Sequence, residues 1–208
     1  MDKLVEGYRR WRSEGWVNER ARWGELAQGQ SPQTMIIACS DSRVDPATIF
    51  GTVPGEVFVV RNIANLVPPY EVGGGRHGVS AALEFAVTQL KVAEIVVMGH
   101  GACGGVAAAL NKTFDGAKAG EGGFIAHWID MLDEARDRVI AQHGTGPDAI
   151  RALELEAVKT SLANLRTFPF VREAEAAGTL KLKGALFAIA DGCLHVLDES
   201  VGTFAPVA

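Results

Sequence analysis

The sequence is short of cysteine, of excess charge of either sign and of long apolar runs, and each shortage excludes a class of protein. Its 208 residues contain 3 cysteines, which is too few for a scaffold held by disulfides. The formal net charge is −5 and no basic run is present, which argues against a nucleic-acid partner. No apolar run is long enough to span a bilayer, and the amino terminus lacks the apolar stretch of a signal peptide. We therefore expect a cytoplasmic protein with no membrane partner.

The length of the chain predicts one domain over residues 1–208, since a chain of this size can bury a single sizeable core. Residues 1–30 are predicted to form an N-terminal helical arm. Four aromatic residues are interleaved there with charged ones, namely Tyr8, Trp11, Trp16 and Trp23. Such a density of aromatic side chains, with both signs of charge, favours helices that pack on a partner subunit over helices on a membrane surface. Residues 31–208 are predicted to form an α/β core.

Four short apolar runs alternate with helical patterns along this core. The runs cover residues 34–38, 57–60, 95–98 and 186–190, and we interpret them as buried parallel strands. A fifth run, Cys193–Leu197, follows a turn and predicts an antiparallel edge strand. Helices are predicted over residues 47–50, 79–90, 124–142 and 148–167. The order predicts an α/β fold, with a mainly parallel central sheet of four strands plus an antiparallel edge strand, flanked by helices.

Two local features of the predicted elements are specific enough to be tested. Asp45 and Pro46 are typical of a helix start, with the aspartate as cap and the proline in the first turn. The predicted helix 79–90 is apolar on nearly all sides, so we expect it to be buried. A loop containing Gly73–Gly75 is expected to precede it.

Residue types that can bind metals lie at the ends of two predicted strands. Cys39 ends the first strand, and His100 and Cys103 follow the third. In parallel sheets, functional residues lie just beyond the carboxyl ends of the strands, so the three side chains meet if these two strands are neighbours. Two thiolates and one imidazole are a ligand set that suits zinc with its fourth position open.

An acidic and a basic residue follow Cys39 at alternate positions. In extended backbone, residues two apart share a face, so Asp41 is expected to point toward the same site as Cys39. Arg43 can then clamp the carboxylate through two hydrogen bonds and keep it ionised, as an acceptor for a zinc-bound hydroxide. In the alternative interpretation, Asp41 is itself a fourth ligand, which closes the site either permanently or at low pH. Gly104 begins a predicted helix, so its N–H can point at a developing anion.

The residues around this predicted site resemble a known family. Cys39-Ser-Asp-Ser-Arg43 and Gly99-His-Gly-Ala-Cys-Gly-Gly105 are similar to the two signature motifs of the β-class carbonic anhydrases. Residues 54–70 and 78–87 are similar to the same family, and the resemblance extends from about Gln30 to Leu110. It implies reversible hydration of carbon dioxide to bicarbonate and a proton. It also implies one Zn²⁺ per subunit and a homodimer or dimer of dimers.

The resemblance implies a role for each matching residue. The zinc ligands would be Cys39, His100 and Cys103, and the catalytic pair would be Asp41 and Arg43. Gln30 would donate a hydrogen bond to the substrate, and the N–H of Gly104 would contact the bound anion. The apolar walls of the site, supplied in part by the facing subunit, would be Phe58, Ile63 and Phe85.

Two positions depart from subgroups of the family. Phe85 stands where plant-like members carry tyrosine, and Ile36 stands where the allosteric subgroup carries tryptophan. The chain still resembles the plant-like, non-allosteric subgroup, because it lacks the tryptophan of the allosteric one. From Ile36 we expect no non-catalytic bicarbonate site beside Arg61. For Arg61 we expect an internal salt bridge to Glu84 instead.

The charge of the ligand set leads to an expectation about pH. Two thiolates formally cancel the charge of zinc, so its bound water should be less acidic than in a site with three histidines, and hydration should speed up as pH rises. Two alternative functions use the same residues. One is a zinc hydrolase of another small linear substrate such as carbon disulfide, and the other is a non-catalytic module that binds zinc or carbonate.

Overall fold

A computed structural model describes residues 1–73 and 76–207 of the chain. Gly74 and Gly75 of the predicted glycine loop lie outside the described residues. The chain divides into two compact units, Met1–Ser31 and Pro32–Ala208, which are described separately. The sequence-based division falls one residue earlier, between residues 30 and 31.

The N-terminal unit consists of short helices. Its elements are α1 (Asp2–Ser13), α2 (Gly15–Asn18) and α3 (Arg20–Leu26). The aromatic side chains contact one another and arginine within the unit. The rings of Trp11 and Trp23 meet edge to face with centroids 5.5 Å apart, and the guanidinium of Arg12 lies 3.7 Å from the ring centre of Trp16. Packing of this unit on a partner subunit stays a prediction.

The second unit is built on one sheet with the strand order β2-β1-β3-β4-β5-β6. Its strands are β1 (Thr34–Cys39), β2 (Val57–Asn62), β3 (Glu94–His100), β4 (Lys181–Ala188), β5 (Cys193–Asp198) and β6 (Thr203–Pro206). The first four strands in this order are parallel, which confirms the mainly parallel sheet of four strands. The predicted antiparallel strand over Cys193–Leu197 is confirmed as β5, but it is not the edge strand, because β6 pairs with it on the outside as a second antiparallel strand. A four-residue edge strand that contains Pro206 has too little alternation to be recognised from sequence.

Both faces of the central strands are covered, which explains why their sequences are apolar runs rather than alternating patterns. One face carries Met35 and Ile37 of β1 beside Ile95 and Val97 of β3, all with no exposed surface. The opposite face carries Ile36, Ala38, Met98 and Ala185. Successive side chains of a strand point to opposite faces, so two covered faces need two sets of apolar residues.

The helices of this unit pack around the sheet. They are α4 (Pro46–Phe50), α5 (Gly78–Glu84), α6 (Gly104–Leu110), α7 (Gly123–Ile129), α8 (Asp133–His143), α9 (Pro147–Leu165) and α10 (Pro169–Ala176). The predicted start of α4 is confirmed, since Asp45 Oδ1 accepts the backbone N–H of Thr48 at 3.0 Å. None of the helices in the described part of the chain combines the length and apolar character that a membrane crossing requires.

Two predicted helices differ from the structure. The helix expected over 79–90 is α-helical only to Glu84 and continues as a π-helical segment, Phe85–Leu90. Burial on all sides is wrong: Leu83 and Ala86 are buried, whereas Phe85 is 46% exposed, so the apolar residues of this segment do not all face the core of their own chain. The helix expected over 124–142 is interrupted by a 3₁₀ turn at Asp130–Leu132, which separates α7 from α8.

Candidate metal centre

Cys39, His100 and Cys103 converge beyond the carboxyl ends of two neighbouring strands. β1 and β3 are parallel and paired with Ala38 opposite Met98, so their last residues reach the same edge of the sheet. One ligand atom from each of the three side chains lies within 4.8 Å of the other two. All three residues are buried, with 5%, 1% and 2% of their surface exposed. The structure therefore brings the three predicted ligands together.

The imidazole of His100 is oriented for metal binding. Its Nδ1 lies 2.9 Å from the carbonyl oxygen of Gly101, and we assign the proton to Nδ1 so that it donates this hydrogen bond. The Nε2 atom is buried and has no hydrogen-bond partner among the described residues. A buried ring nitrogen without a partner, close to two sulfur atoms, fits a metal ligand.

The two thiols lie close enough to affect each other's ionisation. The contact with Cys103 lowers the pKa of Cys39 to about 4, and the same contact raises the pKa of Cys103. The backbone N–H groups of Asp41 and Ala64 also lower the pKa of Cys39. The lowered pKa favours the thiolate form of Cys39, which is the form that binds a metal. Two sulfurs and a neutral imidazole fit tetrahedral zinc with one position left open.

Asp41 and Arg43 form a two-point ion pair beside these ligands. Arg43 donates from Nε to Oδ1 at 2.9 Å and from Nη2 to Oδ2 at 2.7 Å, and its backbone N–H adds a third bond to Oδ1 at 2.9 Å. These hydrogen bonds hold the pKa of Asp41 well below its usual range, so the carboxylate is an acceptor only. Its Oδ2 lies 4.0 Å from Nε2 of His100.

A turn with unusual backbone geometry closes over the start of α6. Ala64 and Asn65 both have left-handed φ angles, of 60° and 50°. The side chain of Asn62 bridges the turn, accepting the N–H of Leu66 at 2.9 Å and donating to its carbonyl at 2.8 Å. A Cβ on Gly105 would lie 2.7 Å from Cγ2 of Ile63, so this close approach requires glycine.

The predicted substrate residues fall into separate groups. Ile63 lies against the first turn of α6, and Gly104 is the first residue of that helix with open space beside its Cα. In β2, the residue opposite Cys39 is Asn62. Phe58 comes four residues earlier in the same strand, which places it roughly 13 Å from the level of Cys39. The rings of Phe58 and Phe85 are 6.0 Å apart, so these two walls are not beside the ligands of their own chain. Gln30 belongs to the N-terminal unit, and its role stays a prediction.

Arg61 has a different partner from the one expected. It donates from Nε to the carbonyl oxygen of Cys39 at 2.9 Å and from Nη2 to that of Asp41 at 2.6 Å. The expected internal salt bridge is confirmed, but its carboxylate is that of Asp45, at 3.4 Å, and not that of Glu84. The register of β2 against β1 explains this partner, because it places Arg61 opposite Ala38, next to the loop that follows β1.

Sequence reasoning missed two residues that contact the site. Glu154 lies in the middle of α9 and accepts the backbone N–H of Cys103 at 3.0 Å, and burial raises the pKa of its carboxyl. Trp128 of α7 donates from Nε1 to the carbonyl oxygen of Ile63 at 2.8 Å. Sequence alone does not indicate that an acidic residue of an amphipathic helix, such as Glu154, is buried. It also does not indicate which group the indole N–H of Trp128 contacts.

The geometry agrees with the comparison to known proteins. A family model described as carbonic anhydrase matches residues 34–194. Beta carbonic anhydrase 6, mitochondrial, of Arabidopsis thaliana is 33% identical over 197 residues, which are 94% of this chain and 67% of the relative. The chain belongs to the β-class carbonic anhydrase family. Members of this family are zinc enzymes, and Cys39, His100 and Cys103 are the residues of this chain that fit the zinc.

Solved structures of the family have the same fold. The β-carbonic anhydrase CcaA has a TM-score of 0.91 with 31% identity, covering 100% of this chain and 92% of its own. One of two tetrameric β-carbonic anhydrases from Sordaria macrospora has a TM-score of 0.79 with 30% identity, covering 100% of this chain and 98% of its own.

Proposed function

We propose that this protein catalyses the reversible hydration of carbon dioxide to bicarbonate and a proton, with Asp41 and Arg43 as its catalytic pair. One observation carries the proposal: two sulfurs and a histidine nitrogen lie within 4.8 Å of one another. The carboxylate that Arg43 holds lies 4.0 Å from that nitrogen. Zinc held there would act as a Lewis acid that lowers the pKa of a water molecule.

Asp41 orients the attacking water. Because Arg43 keeps the carboxylate ionised and fixes both of its oxygens, Oδ2 accepts a hydrogen bond from the water and cannot donate one. The proton of the water is thereby directed at Oδ2, and a lone pair is left facing the carbon of the substrate. The same ion pair favours an open fourth metal position over the closed site considered above, since Asp41 would have to leave Arg43 to become a ligand.

The surroundings suit a small apolar substrate and an anionic product. Ile63 supplies an apolar wall beside α6, and we propose that Phe58 and Phe85 of a facing subunit supply the rest. Their position supports this, because the two rings lie on the β2 side of the sheet, where β2 is the edge strand. The N–H of Gly104 would donate to the negative charge that develops on the product, and Gln30 would donate to the substrate.

Stopped-flow hydration tests the role of the catalytic pair. We expect Asp41→Ala to lower kcat/KM by about 10²- to 10⁴-fold while its zinc content stays that of the wild type. Asp130→Asn, which changes an exposed aspartate that pairs with His127 at 3.1 Å, is the control and should keep full activity. Unchanged turnover in Asp41→Ala would remove the pair from the mechanism.

The rate of hydration should depend on pH. With zinc held by two thiolates, a water molecule there would be less acidic than in a site with three histidines, so we expect the rate to rise through about pH 7 to 8. A profile that is flat from about pH 6 would contradict this charge argument.

We further propose a homodimer or a dimer of dimers in the cytoplasm. The tetrameric Sordaria relatives support the assembly, as does the substrate wall that the chain does not complete alone. Light scattering after size-exclusion chromatography should give two or four chains per particle, and a monomer at micromolar concentration would contradict it. Cell fractionation tests the location.

A further inference from the structure

A buried carboxylate lies behind the turn that carries two of the metal ligands. Glu154 is 3% exposed, and its Oε1 accepts the backbone N–H of Cys103 at 3.0 Å. Nη1 of Arg151 lies 3.8 Å from the other oxygen, too far for a hydrogen bond. Burying a carboxylate is unfavourable unless it is hydrogen-bonded, so the contact with Cys103 is a main reason for Glu154 to be tolerated there.

The turn itself, His100–Cys103, needs support. Ala102 has a φ of 55°, in the left-handed region that disfavours residues with a Cβ. Such a conformation persists only where the surrounding structure holds it. Arg43 holds the turn on one side by donating to the carbonyl oxygen of Ala102 at 3.1 Å. Glu154 holds it on the other side, at the N–H of Cys103, which caps α6.

Close packing of α9 against the sheet fixes the position of Glu154 next to the turn. The helix crosses β3 and β4 at close distance, where both strands have glycine. A Cβ on Gly99 would lie 2.8 Å from Cγ2 of Val158, and one on Gly184 would lie 2.9 Å from Cγ1 of the same valine. Val158 is one helical turn after Glu154, so this close packing sets the height of the carboxylate above the sheet.

We propose that Glu154 is a positioning residue, which keeps Cys103 and His100 in zinc-binding geometry by accepting the N–H of Cys103. The proposal rests on zinc binding at this turn and not on the hydration of carbon dioxide. Outer groups of this kind typically change metal affinity by about 10- to 100-fold when they are removed. Zinc affinity should depend on whether the acceptor oxygen is close enough to the N–H of Cys103, and not on the charge of the side chain.

Two variants distinguish the position of the acceptor oxygen from the charge of the side chain. Glu154→Asp keeps the charge and withdraws the oxygens by about 1.5 Å, and Glu154→Gln loses the charge and keeps an acceptor oxygen at the right distance. Zinc affinity is measured by competition with a chromophoric chelator, without carbon dioxide. The thiolate-to-cobalt absorption bands of the Co²⁺-loaded protein report the ligand geometry. Glu156→Asp is the matched control, since Glu156 lies on the same helix and pairs with Lys159 at 2.9 Å.

We expect Glu154→Asp to bind zinc about 10- to 100-fold more weakly with shifted cobalt bands. Glu154→Gln should stay within about fivefold of the wild type, and Glu156→Asp should match it. Wild-type affinity in Glu154→Asp, or a Gln variant as weak as the Asp variant, would overturn the proposal. If circular dichroism shows that Glu154→Asp does not fold, the cobalt bands of Glu154→Gln decide: unchanged bands support it and shifted bands overturn it. A failure of carbon dioxide hydration would leave these results unaffected.

Discussion

Trp128 donates its indole N–H to the carbonyl oxygen of Ile63 at 2.8 Å, and this bond ties α7 to the turn over the metal centre. The turn contains Ala64 and Asn65 in left-handed conformations, and Ser161 of α9 holds it from below by donating to the carbonyl of Asn65 at 2.9 Å. Two helices thus hold a backbone conformation that the local sequence disfavours.

Replacing Trp128 by phenylalanine should destabilise this turn. The variant keeps an aromatic ring but loses the donor, so we expect the free energy of unfolding to fall by about 1 kcal/mol. Urea denaturation measures the change. Phe124→Leu, an exposed position on the same helix, is the control and should change it by less than about 0.5 kcal/mol. Equal stability of Trp128→Phe and the wild type would mean that the bond does not support the turn.

Bicarbonate should not bind beside Arg61. The guanidinium donates to the carbonyl oxygens of Cys39 and Asp41 and pairs with Asp45, so an anion would have to displace these partners. A crystal structure after soaking in bicarbonate checks this. An ion within hydrogen-bond distance of Arg61 and away from the zinc would refute the prediction.

Stability should depend on pH through Arg166, which bridges Glu175 of α10 and Glu199 of the loop after β5. The hydrogen bonds from Arg166 lower the pKa of Glu199. A carboxyl whose folded pKa is depressed stabilises the fold above its unfolded pKa of about 4.3, and this contribution is lost as pH falls through the folded value.

We therefore expect Glu199→Gln to be less stable than the wild type at pH 7 and equal to it at the acid end of the range. The difference at pH 7 should be below about 1 kcal/mol, because the side chain of Glu199 is 42% exposed. Chemical denaturation across pH measures it. In an Arg166→Ala background the substitution should have no effect, and a difference that persists there would assign the stability to another contact.

Removal of zinc should lower the melting temperature. A cation that binds only the folded chain stabilises it by about 2.7 kcal/mol when its free concentration is 100 times Kd. Scanning calorimetry with and without a chelator should show this shift in the wild type and in Cys193→Ser, whose thiol lies outside the metal cluster. Cys103→Ser should show no such shift; a full shift there would mean that zinc binds elsewhere.

The ligand set could be predicted from sequence because it depends on local rules. Cys39 and His100 end apolar runs, and parallel neighbouring strands bring such ends together. The pairing of Asp41 with Arg43 follows from alternation along extended chain. Beyond these rules, the convergence needs only that β1 and β3 are neighbours, and the structure shows that they are.

The remaining contacts depend on packing that the sequence does not encode locally. The distance of Phe58 from the ligands follows from the register of β2 against β1. The partner of Arg61 follows from the same register. The burial of Glu154 depends on which face of α9 meets the zinc-binding turn, and the strand β6 is too short for a periodic pattern.

X-ray absorption at the zinc edge of the purified protein tests the central claim most directly. We expect one zinc per chain with two sulfur ligands at about 2.3 Å and a histidine nitrogen at about 2.0 Å, plus one further light ligand. A metal-free protein, or a zinc shell with fewer than two sulfurs, would contradict the convergence of Cys39, His100 and Cys103 on a single ion.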